Sequence, residues 1–195
     1  MDHNLEEIII SHILPDLNNG RRNFDLEHTK AVVYWMKYIL DSLNKDCSYE
    51  KILITAAYAH DWGYVGLFEG IESDNPKEIA KRKPLHMKKG AEKIKNYLLQ
   101  ECTRFFTPKE IERVAHLVSV HDYVEDLKNE DEVTLMEADT LGMLDVKRSP
   151  PTFSKEDNTF FVNTQIFTRR IPRFIHENAK KKALLLAQQR LEYYS

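Results

Sequence analysis

Ile52-Leu53-Ile54-Thr55-Ala56-Ala57-Tyr58-Ala59-His60-Asp61 is the stretch whose reading decides the fold class. Ile52, Leu53, Ala56 and Ala57 share one face at helical spacing. His60 follows Leu53 by seven positions, Ala56 by four and Ala57 by three, so it extends that apolar face; Asp61 stands four after Ala57. A helix over about Tyr49 to His60 therefore turns a histidine inward and ends on an aspartate. Its neighbours repeat the period. About Asp25 to Asn44 carries Val32, Trp35, Met36 and Ile39, and a short helix over about Leu5 to Leu14 stops at Pro15. Asn75-Pro76-Lys77-Glu78 reads as a cap, a proline at the first helical position and an acid at the third. Pro84 divides that region, with a fresh helix from there to about Gln100. Thr107-Pro108-Lys109-Glu110 is a capping box that opens a helix to about His121. Glu132 to Leu144 is another, and a long helix over about Asp157 to Tyr193 is kinked at Pro172. The expectation is an all-α bundle, residues 1–195 as a single domain, with Lys147 to Asp157 a loop within it.

Composition points the same way. The length of 195 residues suits one domain, and 42% hydrophobic against 30% charged residues excludes wholesale disorder. Six glycines, about 3% against roughly 7% on average, are too few for the turns of an all-β chain. A net charge of −3 leaves no general excess of cations for nucleic acid or a membrane surface, and no apolar run approaches the ~20 residues of a span. Cys47 and Cys102 make neither a disulfide framework nor a cysteine zinc site. The acidic start, Met1 to Glu7, is the opposite of a basic signal-peptide region. A cytoplasmic protein is expected, bound to neither nucleic acid nor membrane, with its oligomeric state open. Lys77 to Lys95 is locally basic and contains His86; Asp122 to Glu132 is locally acidic and reads as solvated loop.

The histidines are the informative residues. His28 precedes Val32, Trp35 and Ile39 by four, seven and eleven positions. His86 shares a face with Gly90, Ile94 and Tyr97; His121 lies on the stripe of Val114, Leu117 and Val118; Asp139 stands between Leu135 and Met143. Together with His60 and Asp61, six metal-competent groups lie on apolar helix faces. A single buried histidine is commonly a hydrogen-bonded core residue. Six are another matter: each unpaired buried polar group costs ~1–3 kcal/mol, against a stability of ~5–15 kcal/mol. A bound cation removes that conflict by making the imidazoles and carboxylates ligands.

The order His28, His60-Asp61, His86, His121 and Asp139 resembles the HD-domain superfamily of metal-dependent phosphohydrolases, in the two-metal branch that includes bacterial diadenosine tetraphosphate hydrolases. The likeness runs from about Phe24 to Leu144. It implies two divalent ions, iron, manganese or another transition metal. One would be held by His28, His60, Asp61 and Asp139, the other by His86 and His121 with Asp61 bridging. Asp61 and His60 would be the catalytic pair, a hydroxide between the ions attacking phosphorus in line. The expected substrate is a small phosphorylated molecule of the nucleotide type, with Arg82 and Lys83, just ahead of His86, as phosphate contacts. Tyr64 stands where many family members carry a lysine, which removes that lysine's contact and makes Tyr64 a candidate substrate neighbour. His116 reads as a surface residue and His3, His12 and His176 have no assigned role. His121-Asp122 reads as a coincidental second His-Asp, and Arg169, Arg170 and Arg173 as a solvated helix face. The same ligand set would serve a mixed-valent di-iron oxygenase, and a non-catalytic HD sensor is a third possibility. The intact ligands disfavour the sensor; the eighteen positions from His121 to Asp139 and the basic surroundings of His86 favour hydrolysis.

Overall fold

α2 (Asp25–Leu40) and α6 (Glu130–Leu144) pack along each other, and α4 (Pro76–Glu101) lies against α5 (Pro108–Val120), with α3 (Cys47–Ala59) touching members of both pairs. This computed structural model describes residues 1–21, 24–71 and 75–194. α1 (His3–Leu17) buries Leu5, Ile9, Ile13 and Leu17, a four-residue period that seats it on α3 and α2. α7 (Lys155–Phe161), a π-helix (Val162–Arg170) and α8 (Glu177–Glu192) complete the molecule, the last covering α6. The described residues contain no strand, so the fold is all-α. Among the described residues no helix is long and apolar enough to cross a membrane.

Two glycines permit close approaches that the site depends on. A Cβ on Gly142 would press on Val32, so its absence lets α6 meet α2 closely. A Cβ on Gly63 would collide with the His86 carbonyl, so Gly63 lets the turn after α3 pass directly beneath α4.

Several boundaries differ from the sequence expectation. Pro15 lies inside α1, in its last turn, rather than stopping it. Pro84 lies inside an unbroken 26-residue α4. The bond it forfeits would have gone to the carbonyl of Ala80, an exposed residue whose oxygen water can satisfy. α2 ends at Leu40 rather than near Asn44, and α6 starts at Glu130 because Asn129 and Glu132 form its capping box. The largest difference is C-terminal. In place of one kinked helix the chain widens into the π-helix, where the Thr168 hydroxyl donates to the carbonyl of Asn163, five residues back, at 2.8 Å. A 3₁₀ turn at Ile171–Arg173 then breaks the helix before α8. Pro172 redirects the chain instead of bending one continuous rod.

Candidate metal centre

Five helices each deliver one piece of a buried cluster. His28 comes from the first turn of α2, His86 from mid-α4 and Asp139 from mid-α6. His60 and His121 are the C-cap residues of α3 and α5. There each imidazole folds back so that Nδ1–H donates to the carbonyl three residues earlier, Ala57 for His60 and Val118 for His121, at 2.8 Å in both. A carbonyl can only accept, so these bonds keep a proton on Nδ1 and leave Nε2 as the nitrogen that faces the cluster.

The Nε2 atoms converge in pairs, His28 with His60 at 3.2 Å and His86 with His121 at 3.3 Å. Asp139 Oδ1 lies 3.0 Å from His28 Nε2 and 3.8 Å from His60 Nε2. Asp61 sits between the pairs. Its Oδ2 is 3.4 Å from His60 and 3.6 Å from His28, and its Oδ1 is 3.4 Å from His86 and 3.8 Å from His121. All six side chains are at most 6% exposed. Two groups, His28/His60/Asp139 and Asp61/His86/His121, could therefore each hold a metal ion. The fit is chemical as well as geometric: metal–ligand bonds of ~2.0–2.2 Å place neighbouring donor atoms ~3–3.6 Å apart, and imidazole nitrogens and carboxylate oxygens gathered at such distances form a donor set that suits a cation. Nδ1 of His28 and of His86 is buried without a partner among the described residues, so the cluster is held in place from the His60 and His121 side.

The electrostatics are those of a strongly coupled site. Burial alone would push His60 down, but the charges of Asp61 and Asp139 raise it to about 9. Burial holds His28 and His86 below the ordinary histidine value. Burial would raise Asp61 and Asp139, yet both lie well below the usual carboxylate range, because of His60 and Arg21 for Asp61 and of Arg170 and His28 for Asp139.

Four residues that the sequence reading gave no part in the site complete it. Arg21 reaches Asp61 and Asp25 with its guanidinium, which lies over the Tyr64 ring at 4.2 Å and the Phe24 ring at 4.7 Å. Asp25 is fully buried and pushed up to about 6, by burial and by the charge of Asp61 against the pull of Arg21. Tyr64 in turn stacks on His86, ring centroids 3.9 Å apart. Arg170, expected on a solvated face, is 6% exposed and forks between Asp139 Oδ2 at 2.8 Å and Asp122 Oδ1 at 2.7 Å. Asp122, expected to begin an acidic surface loop, is 9% exposed and also takes Lys83 Nζ at 2.9 Å. The physical reason for both corrections is the same: two cations, Lys83 and Arg170, and two carboxylates, Asp122 and Asp139, gather beside the cluster, and each offsets the desolvation of the others.

Of the two expected phosphate contacts, Lys83 reaches the cluster through Asp122 and keeps 41% of its side chain exposed. Arg82 is engaged with the Leu67 carbonyl and with Glu78. His116 is 45% exposed and pairs with Glu132. His12 stacks on Tyr97, His176 bonds Glu137, and His3 is exposed beside Glu7.

A family model described as HD domain matches residues 25–144. Neither a curated protein nor a solved structure matches the chain.

Proposed function

The chain belongs to the HD-domain family, and from that premise we propose that it is a metal-dependent phosphohydrolase acting on a small phosphorylated molecule of the nucleotide class. The observation that carries the reading is the set of cations drawn up against the cluster, Arg21, Lys83 and Arg170. With the histidines neutral, as an ion requires them, Arg21 and Asp25 cancel, and Asp61, Asp122 and Asp139 against Lys83 and Arg170 leave −1. Two divalent ions would turn that to +3. Such a site attracts a polyanion and gives a neutral polyol nothing to pair with, which favours phosphate chemistry over the oxygenase alternative.

Divalent ions bound here supply Lewis acidity toward phosphoryl oxygens and lower the pKa of water. His28, His60, Asp61 and Asp139 would hold one, and His86 and His121 with Asp61 the other. The chain's own residues do the rest. The backbone bonds of His60 and His121 fix the direction of their Nε2 lone pairs. Asp61 reaches both halves and keeps them in register. Lys83, the most exposed of the cations, meets the arriving phosphate, and its partial solvation leaves it free to exchange Asp122 for the substrate. Tyr64 and Phe24 hold the Arg21 guanidinium in a fixed plane.

The test is a phosphate-release screen over nucleotides and phosphorylated metabolites, run without oxygen on protein loaded with Mn²⁺ or Co²⁺. Turnover is expected under those conditions, and Lys83→Ala should raise KM roughly tenfold with kcat little changed. Oxygen-consuming turnover with iron alone, and no phosphate ester cleaved, would overturn the reading.

A further inference from the structure

The second His-Asp pair carries more than the family's ligand pattern assigns it. Asp122 follows His121 as Asp61 follows His60, and its side chain is nine-tenths buried beside the Asp61/His86/His121 half. Its two oxygens have different surroundings. Oδ1 accepts from Lys83 Nζ at 2.9 Å and from Arg170 Nη2 at 2.7 Å. Oδ2 accepts no hydrogen bond among the described residues and lies 3.9 Å from His86 Nε2. Asp139 shows the same division across the cluster: Oδ2 accepts from Arg170 Nη1 at 2.8 Å, while Oδ1 faces His28 at 3.0 Å. One guanidinium thus grips the outer oxygen of two carboxylates and turns the inner oxygen of each toward a histidine of a different half. A carboxylate oxygen on a side chain this buried is stabilised when something positive meets it. For Asp139 that role belongs to the cation of the first half. Asp122 stands farther from its half, 3.9 Å from one imidazole, but the other prong of Arg170 holds its outer oxygen in the same way and leaves the inner one open to a cation.

We propose that Asp122 is a ligand of the ion in the second half, so that each ion is held by two histidines, by the shared Asp61 and by a carboxylate of its own, and that Arg170 is the positioning residue that aims both carboxylates. This rests on the metal-binding reading above and adds a ligand to it. Arg170 lies outside the matched residues 25–144, on the π-helix, so the chain's C-terminal segment becomes part of the metal centre.

Mn²⁺ binding to the full chain, followed by calorimetry and by electron paramagnetic resonance, tests it without any substrate. Wild type should take up two ions. In a His28→Asn background, which leaves only the second half intact, adding Asp122→Asn should weaken the remaining ion at least tenfold. In a His86→Asn background the same change should alter affinity less than twofold. Arg170→Gln should weaken both ions, with Arg170→Lys restoring part of the loss. If Asp122→Asn leaves the ion of the His28→Asn background within twofold, Asp122 is only a salt-bridge partner and the proposal fails. If the variants do not fold, a crystal structure of the Mn²⁺-loaded wild type decides. Asp122 Oδ2 within ~2.0–2.3 Å of an ion supports the assignment, and an ion in that half with Asp122 beyond bonding distance overturns it. Wild type that takes up no Mn²⁺ would remove the metal reading itself, and the proposal with it.

Discussion

α3 and α5 both end on His-Asp, and locally the two ends are built alike. In each, the histidine caps the helix and bonds the carbonyl three residues back at the same 2.8 Å. They diverge at the aspartate. After Asp61 the chain makes a 3₁₀ turn, Trp62–Tyr64, whose Gly63 passes beneath the His86 carbonyl. That path holds Asp61 among four imidazoles. After Asp122 the chain moves to the half-exposed Tyr123 and a second 3₁₀ turn, Val124–Asp126. Asp122 is left at the edge of one half, near one imidazole and two cations. A dipeptide at a helix end fixes its histidine; what its aspartate does is decided by the next three residues and by the cations that reach it.

The largest expected effect is the one that separates the two aspartates. Asp61→Asn removes the one carboxylate among the described residues that lies within 4 Å of all four cluster histidines. Ion content should fall below one per chain, and kcat/KM by ~10³-fold, the scale of several kcal/mol of lost charge stabilisation. Asp122→Asn should cost less, since it leaves the first half whole. Equal losses in ion content and turnover from the two variants would erase the difference drawn here.

A second, smaller effect follows from the charge on His60. Asp61 and Asp139 raise it to about 9 in the ion-free chain. A raised histidine stabilises the folded state fully below its ordinary value of ~6.5 and loses that contribution as pH climbs through the folded value. A metal ion needs the same imidazole neutral. Ion-free protein should therefore lose stability from this group between about pH 6.5 and 9, while Mn²⁺ affinity rises by up to about tenfold per pH unit over the same window. Thermal unfolding with and without Mn²⁺, at both ends of the window, should show the gap in Tm widening with pH. A constant gap would mean that His60 does not compete with the proton for its ion.

What could be read in advance follows the physics of helices. The caps at Thr107 and Asn75 and the inward stripes of His28, His86, His121 and Asp139 all rest on the 3.6-residue period, and there the structure agrees. Three of the four residues that escaped lie where that period fails. Arg170 belongs to a π-helix, whose wider turn rotates side chains away from the faces a 3.6-residue count assigns. Arg21 precedes α2 and Asp122 follows α5, so periodicity gives no direction to either. Pro84 misled in the opposite sense, because one forfeited bond at an exposed carbonyl is cheaper than breaking a helix packed along its length.

The smallest effect tests the outward side of α5. His116 stands five residues before His121, about 140° around the helix, and its Nε2 lies 2.9 Å from Glu132 Oε1 rather than near the cluster. Glu132 is well supplied without it, accepting from the backbone of Lys128 and Asn129, from the Asn129 amide and from Arg113. Burial would raise its carboxyl, but bonds from the Lys128 backbone and from the side chain and backbone of Asn129 hold it below the usual range, with His116 a lesser contributor. The His116 side chain is 45% exposed, so solvent already screens the pair. His116→Ala should cost under ~1 kcal/mol of stability, with Mn²⁺ stoichiometry and kcat/KM unchanged within about twofold. The Asp122 variant should show the opposite pattern, a change in ions with little change in the α6 cap. If His116→Ala instead lowers ion content, the outward and inward faces of α5 are coupled through Glu132. The contrast between the two His-Asp ends would then have to include the helix surfaces that lead to them.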